Sequence, residues 1–124
     1  MENSSGKQNS NLASSQNRLR SKQCDISGRV FAIDLLMMSN GCFVSLSEDA
    51  NSKMGAITLS VRSDRGVGSS TLIPDRRGSI FASMLGEMLA EKTKGIAVTS
   101  LYLREELDPD SMKTLLNEVR KLAE

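Results

Sequence analysis

The sequence has no histidine and no tryptophan, and its 124 residues include only one Tyr, three Phe, two Cys and two Pro. Each shortage removes a class of function. Without histidine there is no Ser-His or Cys-His nucleophile pair and no His-ligated metal site. General acid–base work near neutrality loses its usual side chain. With so few aromatics, the core has to be aliphatic and methionine-rich, and seven Met are present. The two cysteines, Cys24 and Cys42, follow no metal-ligand spacing, and a chain of this size needs no disulfide staple. No apolar run is long enough to span a membrane, and the first residues lack the apolar region of a signal peptide. Neither sign of charge dominates: the formal net charge is +1, so no global field draws nucleic acid. These shortages lead to the expectation of one soluble domain in a reducing compartment. The expected location is the cytoplasm, with the nucleus open as well, and no cofactor, nucleic acid or membrane is expected as a partner.

The near-neutral total hides an asymmetry. Residues 1–24 carry Lys7, Arg18, Arg20 and Lys22 against Glu2, whereas the remainder is slightly acidic. Residues 1–23 are almost entirely Ser, Asn, Gln and charge, with only Leu12, Ala13 and Leu19 as larger apolar breaks. Such a segment buries too little apolar surface to offset the entropy of ordering it, so 1–24 is expected to be a disordered polar arm. The domain is then residues 25–124.

From Arg29 the pattern changes. In "RVFAIDLLMM", Phe31, Ile33, Leu35 and Met37 point one way and Val30, Ala32, Asp34, Leu36 and Met38 the other, a strand covered on much of both faces. Asn40-Gly41 follows, a strong hairpin signal because both residues tolerate positive φ. "CFVSL" is the returning strand, and "MGAITLSV" alternates again. "STLI" is a short apolar strand. Phe81, Met84, Leu85, Met88 and Leu89 then fall on one helical stripe, with Gly95 placed for a left-handed cap. "IAVTSLYL" reads as a strand. The last helix starts at the N-cap Asp108 with Pro109 in its first turn, and carries the stripe Met112, Leu115, Leu116, Val119 and Leu122. The order β-β-β-β-α-β-α predicts an α+β domain with a mostly antiparallel sheet packed with two amphipathic helices.

The stretch "SDRGVGSSTL", Ser63 to Leu72, tests for catalysis. A phosphate cradle joins a strand directly to a helix and places a Lys beside the hydroxyl residue. Here no Lys follows Gly66 and Gly68, and the next element reads as a strand stopped by Pro74. A flexible loop between strands is the better reading. The carboxylates of Glu105, Glu106, Asp108 and Asp110 cluster at a helix entry, where capping explains them. Asp34 is the only charge inside its strand and reads as an edge or interface residue. Cys42 lacks an activating partner and reads as a small buried hydrophobe. No catalytic, metal or cofactor-binding residue is expected, and an enzyme is not expected.

The segment "FASMLGEMLAEKTKGIAVTSLYLREELDPDSMKTLLNEV" resembles the end of the small proteasome assembly chaperones, especially the proteasome assembly chaperone 4 family. There, too, a helix closing on a basic segment, here "LAEKTKG", leads straight into a strand that ends in a turn, here "TSLYL", before a C-terminal helix. "GAITLSV", "SSTLI" and the hairpin "FAIDLLMMSNGCFVSL" are similar to the family's earlier strands, so the resemblance covers about residues 25–122. It implies a non-enzymatic chaperone that pairs with a chaperone 3-like partner as a heterodimer and holds α-subunits while the α-ring of the 20S proteasome forms. The alternative is a small dimerising scaffold of roadblock or profilin-like type serving another complex. For the chaperone contact the residues expected are Val30, Ala32, Leu36 and Met38. For the α-subunit contact they are Arg62, Arg65, Arg76 and Arg77 around the glycine-containing loop.

Overall fold

The computed structural model describes residues 18–49, 51–75 and 77–124. Among these residues six strands and two helices of several turns follow in the order β1 (Leu19–Ile26), β2 (Arg29–Met38), β3 (Gly41–Ser47), β4 (Ala56–Ser63), β5 (Gly66–Ile73), α1 (Ser79–Thr93), β6 (Ile96–Tyr102) and α2 (Pro109–Ala123). One sheet holds all the strands in the spatial order β1-β2-β3-β6-β4-β5. Every neighbouring pair is antiparallel except β3–β6. The fold is the expected α+β class, with one strand more than the pattern predicted.

That extra strand corrects the expected arm. Residues 19–24 belong to β1, which pairs along its whole length with β2, from Leu19 opposite Leu36 to Ile26 opposite Arg29. Residues 1–17 lie outside the described residues. The turn between β1 and β2 is Ser27-Gly28, with φ of 54° and 83°, the conformation that two-residue hairpins favour. The strand escaped notice because its core side presents Arg20 and Lys22 beside Cys24 and Ile26. The Arg20 guanidinium donates to the carbonyls of Leu122 (2.7 Å) and Glu124 (2.9 Å). Lys22 donates to Glu118 of α2. Polar side chains thus fasten β1 under the end of α2.

Both helices cover one face of the sheet. Phe31, Ile33 and Leu35 from β2, Val44 and Leu46 from β3, and Leu101 from β6 form the floor of the core and are essentially buried. α2 closes it with Leu115 and Val119, and α1 with Phe81, Leu85 and Leu89. The N-terminus of α2 is capped as predicted: the Asp108 carboxylate accepts from the Ser111 N–H (3.2 Å) and the Ser111 hydroxyl (2.6 Å), with Pro109 behind it.

In α1 the buried face is rotated from the expected stripe. Ala82, Gly86 and Ala90 are buried beside Phe81, Leu85 and Leu89, while Met84 is 44% exposed. An ideal Cβ on Gly86 would sit 2.3 Å from Ser60 Oγ and 3.1 Å from Thr99 Oγ1. The helix therefore lies low over small hydroxyl residues of β4 and β6, and only small side chains fit between.

Two glycines do a different job from the one predicted. The left-handed residue that ends α1 is Lys94 (φ 56°), not Gly95, and neither Asn40 nor Gly41 has positive φ. Ser39 and Asn40 make the β2–β3 turn, since Met38 pairs with Gly41. A Cβ on Gly41 would lie 2.1 Å from the Ile96 carbonyl oxygen, and one on Gly95 would lie 1.9 Å from the Asn40 oxygen. The Ile96 N–H donates to that same Asn40 oxygen at 3.0 Å. Both glycines are required because the β2–β3 turn and the entry to β6 run backbone against backbone.

Candidate functional site

Among the described residues no helix covers the other face of the sheet. Alternation sends Leu19, Ser21 and Gln23 of β1 there, with Val30, Ala32, Asp34, Leu36 and Met38 of β2, and the corresponding residues of the other strands. Register arranges them into rows. Leu19 lies opposite Leu36, Leu36 opposite Phe43, Phe43 beside Val98, and Val98 opposite Leu59. At roughly 4.8 Å between strands this apolar row is roughly 19 Å long. Met38, Gly41, Ile96 and Val61 form the row on one side of it. On its other side Ser21, Asp34, Ser45 and Ser100 form a polar row that ends in Ile57. The apolar surface thus runs across the strands rather than along β2.

Leu19, Leu36, Phe43, Val98, Ile57 and Met54 surround a shallow depression of about 420 Å³ on this face. Phe43 is 50% exposed and Met54 78% exposed. On small domains, large contiguous exposed apolar patches are commonly where partners bind. Asp34 borders the depression. The Ser21 hydroxyl donates to its Oδ1 (2.6 Å) and the Ser52 hydroxyl to its Oδ2 (3.0 Å). It belongs to an inner strand, not to the sheet edge expected as one alternative.

Three of the four predicted residues of the first strand, Val30, Leu36 and Met38, are available on this face; Ala32 is buried. Leu36 lies in the apolar row and Met38 in the row beside it, whereas Val30 sits at the far end of β2. The sequence reading missed Phe43, Leu19, Met54, Ile57 and Val98. Phe43 carried a signal, since it alternates out of phase with the buried Cys42, Val44 and Leu46. Met54 carried none, because its role depends on how the connection after β3 folds back.

The arginines are not brought together. The predicted glycine loop is a two-residue turn, Asp64-Arg65, and Gly66 to Ile73 is a strand. Arg62 lies at the end of β4, where its Nε donates to Glu91 of α1 at 3.1 Å, and Arg65 is in the adjacent turn. Arg77 sits before α1, at the opposite end of β5, with its N–H bonded to Asp75 Oδ1 (2.8 Å). The length of β5, roughly 23 Å, separates the two ends. Arg76 lies outside the described residues.

The densest charged network is structural. Glu48, nearly buried, takes two bonds from Arg29 (2.6 and 2.8 Å) and one from the Arg104 N–H (2.9 Å). Arg29 also donates to the carbonyls of Glu105 and Glu106 and lies over the Phe31 ring. These bonds, chiefly that from Arg29, hold the Glu48 carboxyl below its usual range. The paired glutamates before α2 thus contribute backbone, not carboxylates. Burial pushes the Cys42 thiol up to about 11, which leaves it protonated and unreactive near neutrality. Among the described residues, no helix is long and apolar enough to cross a membrane, and no group of three or more Cys, Asp or Glu is placed to hold a metal ion.

Among the described residues the fold is thus a six-stranded sheet with two helices on one face and an apolar band on the other that none of them covers. No family model and no curated protein matches the chain. Among solved structures it is similar to a chain of the "Crystal Structure of a Novel Chaperone Complex for Yeast 20S Proteasome Assembly". The TM-score is 0.56 and the identity 16%, over 85% of this chain and 88% of that one. At that identity the likeness is one of fold.

Proposed function

We propose that this protein is a non-enzymatic chaperone that promotes assembly of the 20S proteasome α-ring as one half of a small heterodimer with a chaperone 3-like partner. The observation that carries the reading is the likeness of fold to a proteasome assembly chaperone complex across most of both chains. The uncovered apolar row supports it, because a sheet face of this kind is the surface a second small domain would cover. The absence of histidine from the sequence supports a role by binding rather than by catalysis.

In this proposal Leu36, Met38, Phe43 and Val98 form the centre of the chaperone–chaperone contact. Asp34, already holding two hydroxyls, limits which partner can close over it, since an unmatched carboxylate would be costly to desolvate. The α-subunit contact uses the basic end at Arg62 and Arg65, and the working location is the cytoplasm and nucleus. Two variants test the division: Leu36→Asp, and Arg62→Glu combined with Arg65→Glu. Each is assayed for co-purification of the partner chaperone and of α-subunits. The first is expected to lose the partner. The second is expected to keep the partner and lose the α-subunits, with a contact that weakens as salt rises. Normal partner binding by Leu36→Asp would remove the open face from the proposal, and normal α-subunit capture by the double variant would remove the basic end.

A further inference from the structure

The sheet has two edges, and they are built differently. At one edge β1 carries Arg20, Lys22 and Asp25, and its two cations are bonded to α2 and the residue after it. Charge on an edge strand is a common defence against unwanted pairing. At the other edge, β5 reads "GVGSSTLI", with no charge and no proline, and almost every residue is exposed. Among the described residues no strand pairs with its outer side. A bulge where Ile57 pairs with Ile73 and Thr58 with Thr71 leaves Gly66 to Thr71 as the regular part of the ladder.

Beside this edge α1 provides a shelf. Ile80, Met84, Glu87 and Glu91 follow at i, i+4, i+7 and i+11, a single stripe of the helix. The Ser69 hydroxyl donates to Glu87 (2.8 Å), and Arg62, opposite Val67, donates to Glu91. These bonds place the stripe along β5 and antiparallel to it, with the acidic pair at the Gly66 end. Ile80 (73% exposed) and Met84 (44% exposed) lie toward the Ile73 end, where Ile73 itself is 54% exposed.

We propose that β5 accepts an extended segment of a partner protein as a seventh strand. The added strand takes backbone hydrogen bonds from Gly66 to Thr71. It sets apolar side chains against Ile80 and Met84, and a lysine or arginine against Glu87 and Glu91. From the rise of a strand and of a helix, the basic residue falls about two to four positions beyond the apolar pair. Such strand addition draws affinity from main-chain bonds and specificity from alternate side chains. A second copy of this chain fits less well. Symmetric antiparallel pairing about Ser69 would bring the Glu87 of each copy to the two-fold axis, and β5 offers no cation to answer them. The surface is separate from the open face and does not depend on the function proposed for that face.

The probe is a short fluorescent peptide of alternating valine and threonine with one lysine near its end, titrated into the full chain by anisotropy. Controls are the same peptide with glutamate for lysine, and two peptides N-methylated on one or the other set of alternate amides. The lysine peptide is expected to bind, and the glutamate peptide to bind about tenfold more weakly. One N-methylated frame should fail while the other binds, because only one set of amides faces β5. Amide exchange of Gly66 to Thr71 should slow on binding. Ile80→Lys should weaken binding by roughly tenfold without changing the melting temperature, since the side chain is exposed. Glu91→Lys should shift preference toward the glutamate peptide. Equal binding of both N-methylated frames, protection at β1 or on the open face, indifference to Ile80→Lys, or self-association of the free chain through β5 would each overturn the proposal.

Discussion

The two helices solve the same problem in opposite ways. α2 stands over β1 and β2, where the sheet presents Phe31, Ile33 and Leu35, and meets them with Leu115 and Val119. α1 lies over β4, β5 and β6, where the sheet presents Thr58, Ser60 and Thr99, all buried. One half is filled by bulk. The other is filled by approach, with Gly86 letting the helix backbone settle onto hydroxyls. Bulk tolerates small shifts but suffers from cavities. Close approach tolerates no added atoms, and it leaves the Thr99 hydroxyl buried with no hydrogen-bond partner among the described residues.

The largest effect should come from the bulky half. Removing residues 1–24 deletes most of β1, bares the edge of β2 and releases the end of α2; the expected cost is roughly 3–5 kcal/mol, read from denaturant unfolding. An unchanged midpoint would return these residues to the status of a dispensable arm. Leu115→Ala in this half should cost about 2–5 kcal/mol by the same measurement, and Leu85→Ala on α1 a similar amount, because both side chains are fully buried. Glu48→Gln should cost about 1.5–3 kcal/mol at neutral pH by breaking charge-assisted bonds to Arg29. Because the folded carboxyl of Glu48 titrates below its ordinary 4.5, its contribution is present above that pH and is lost as pH falls through the lowered value. The variant's stability should therefore fall less steeply on acidification than that of the parent.

The half built on approach gives the sharper contrasts. Gly86→Ala, which in an exposed helix would gain up to about 1 kcal/mol, should instead cost about 1–3 kcal/mol through overpacking against Ser60. Thr99→Val keeps the shape and removes the unsatisfied hydroxyl, so it should stabilise by roughly 1 kcal/mol. A loss on Thr99→Val would mean that the hydroxyl is doing something the close packing needs.

What could be read from the sequence follows the same division. Strands β2, β3, β4 and β6 and helix α2 announced themselves by large apolar side chains at a regular period, and Asp108 and Pro109 fixed the helix start. The face of α1 was misjudged because Ala82, Gly86 and Ala90 carry little hydrophobic signal, although their smallness is what lets them face the sheet. β1 was hidden by cations on its core side; the end of β5 was legible as "STLI", but its first half, Gly66 to Ser69, was hidden by its lack of large apolar side chains. For the open face, Leu36 and Met38 were legible from parity. The row through Phe43 and Val98 was not, since it exists only once β3 and β6 lie side by side.

That junction also governs how the chain can become a protein. The β1-β2-β3 meander meets the rest of the sheet only through β3 and β6, with Gly41 opposite Ile96. The two residues are about 55 positions apart, so closing the loop between them costs about 3.5 kcal/mol of chain entropy. Hairpins form in microseconds, while non-local pairing waits. The parallel seam is therefore expected to close in the rate-limiting step, joining two partly formed halves. Gly41→Ala should then slow folding. An unchanged folding rate with faster unfolding would instead place the seam after the barrier.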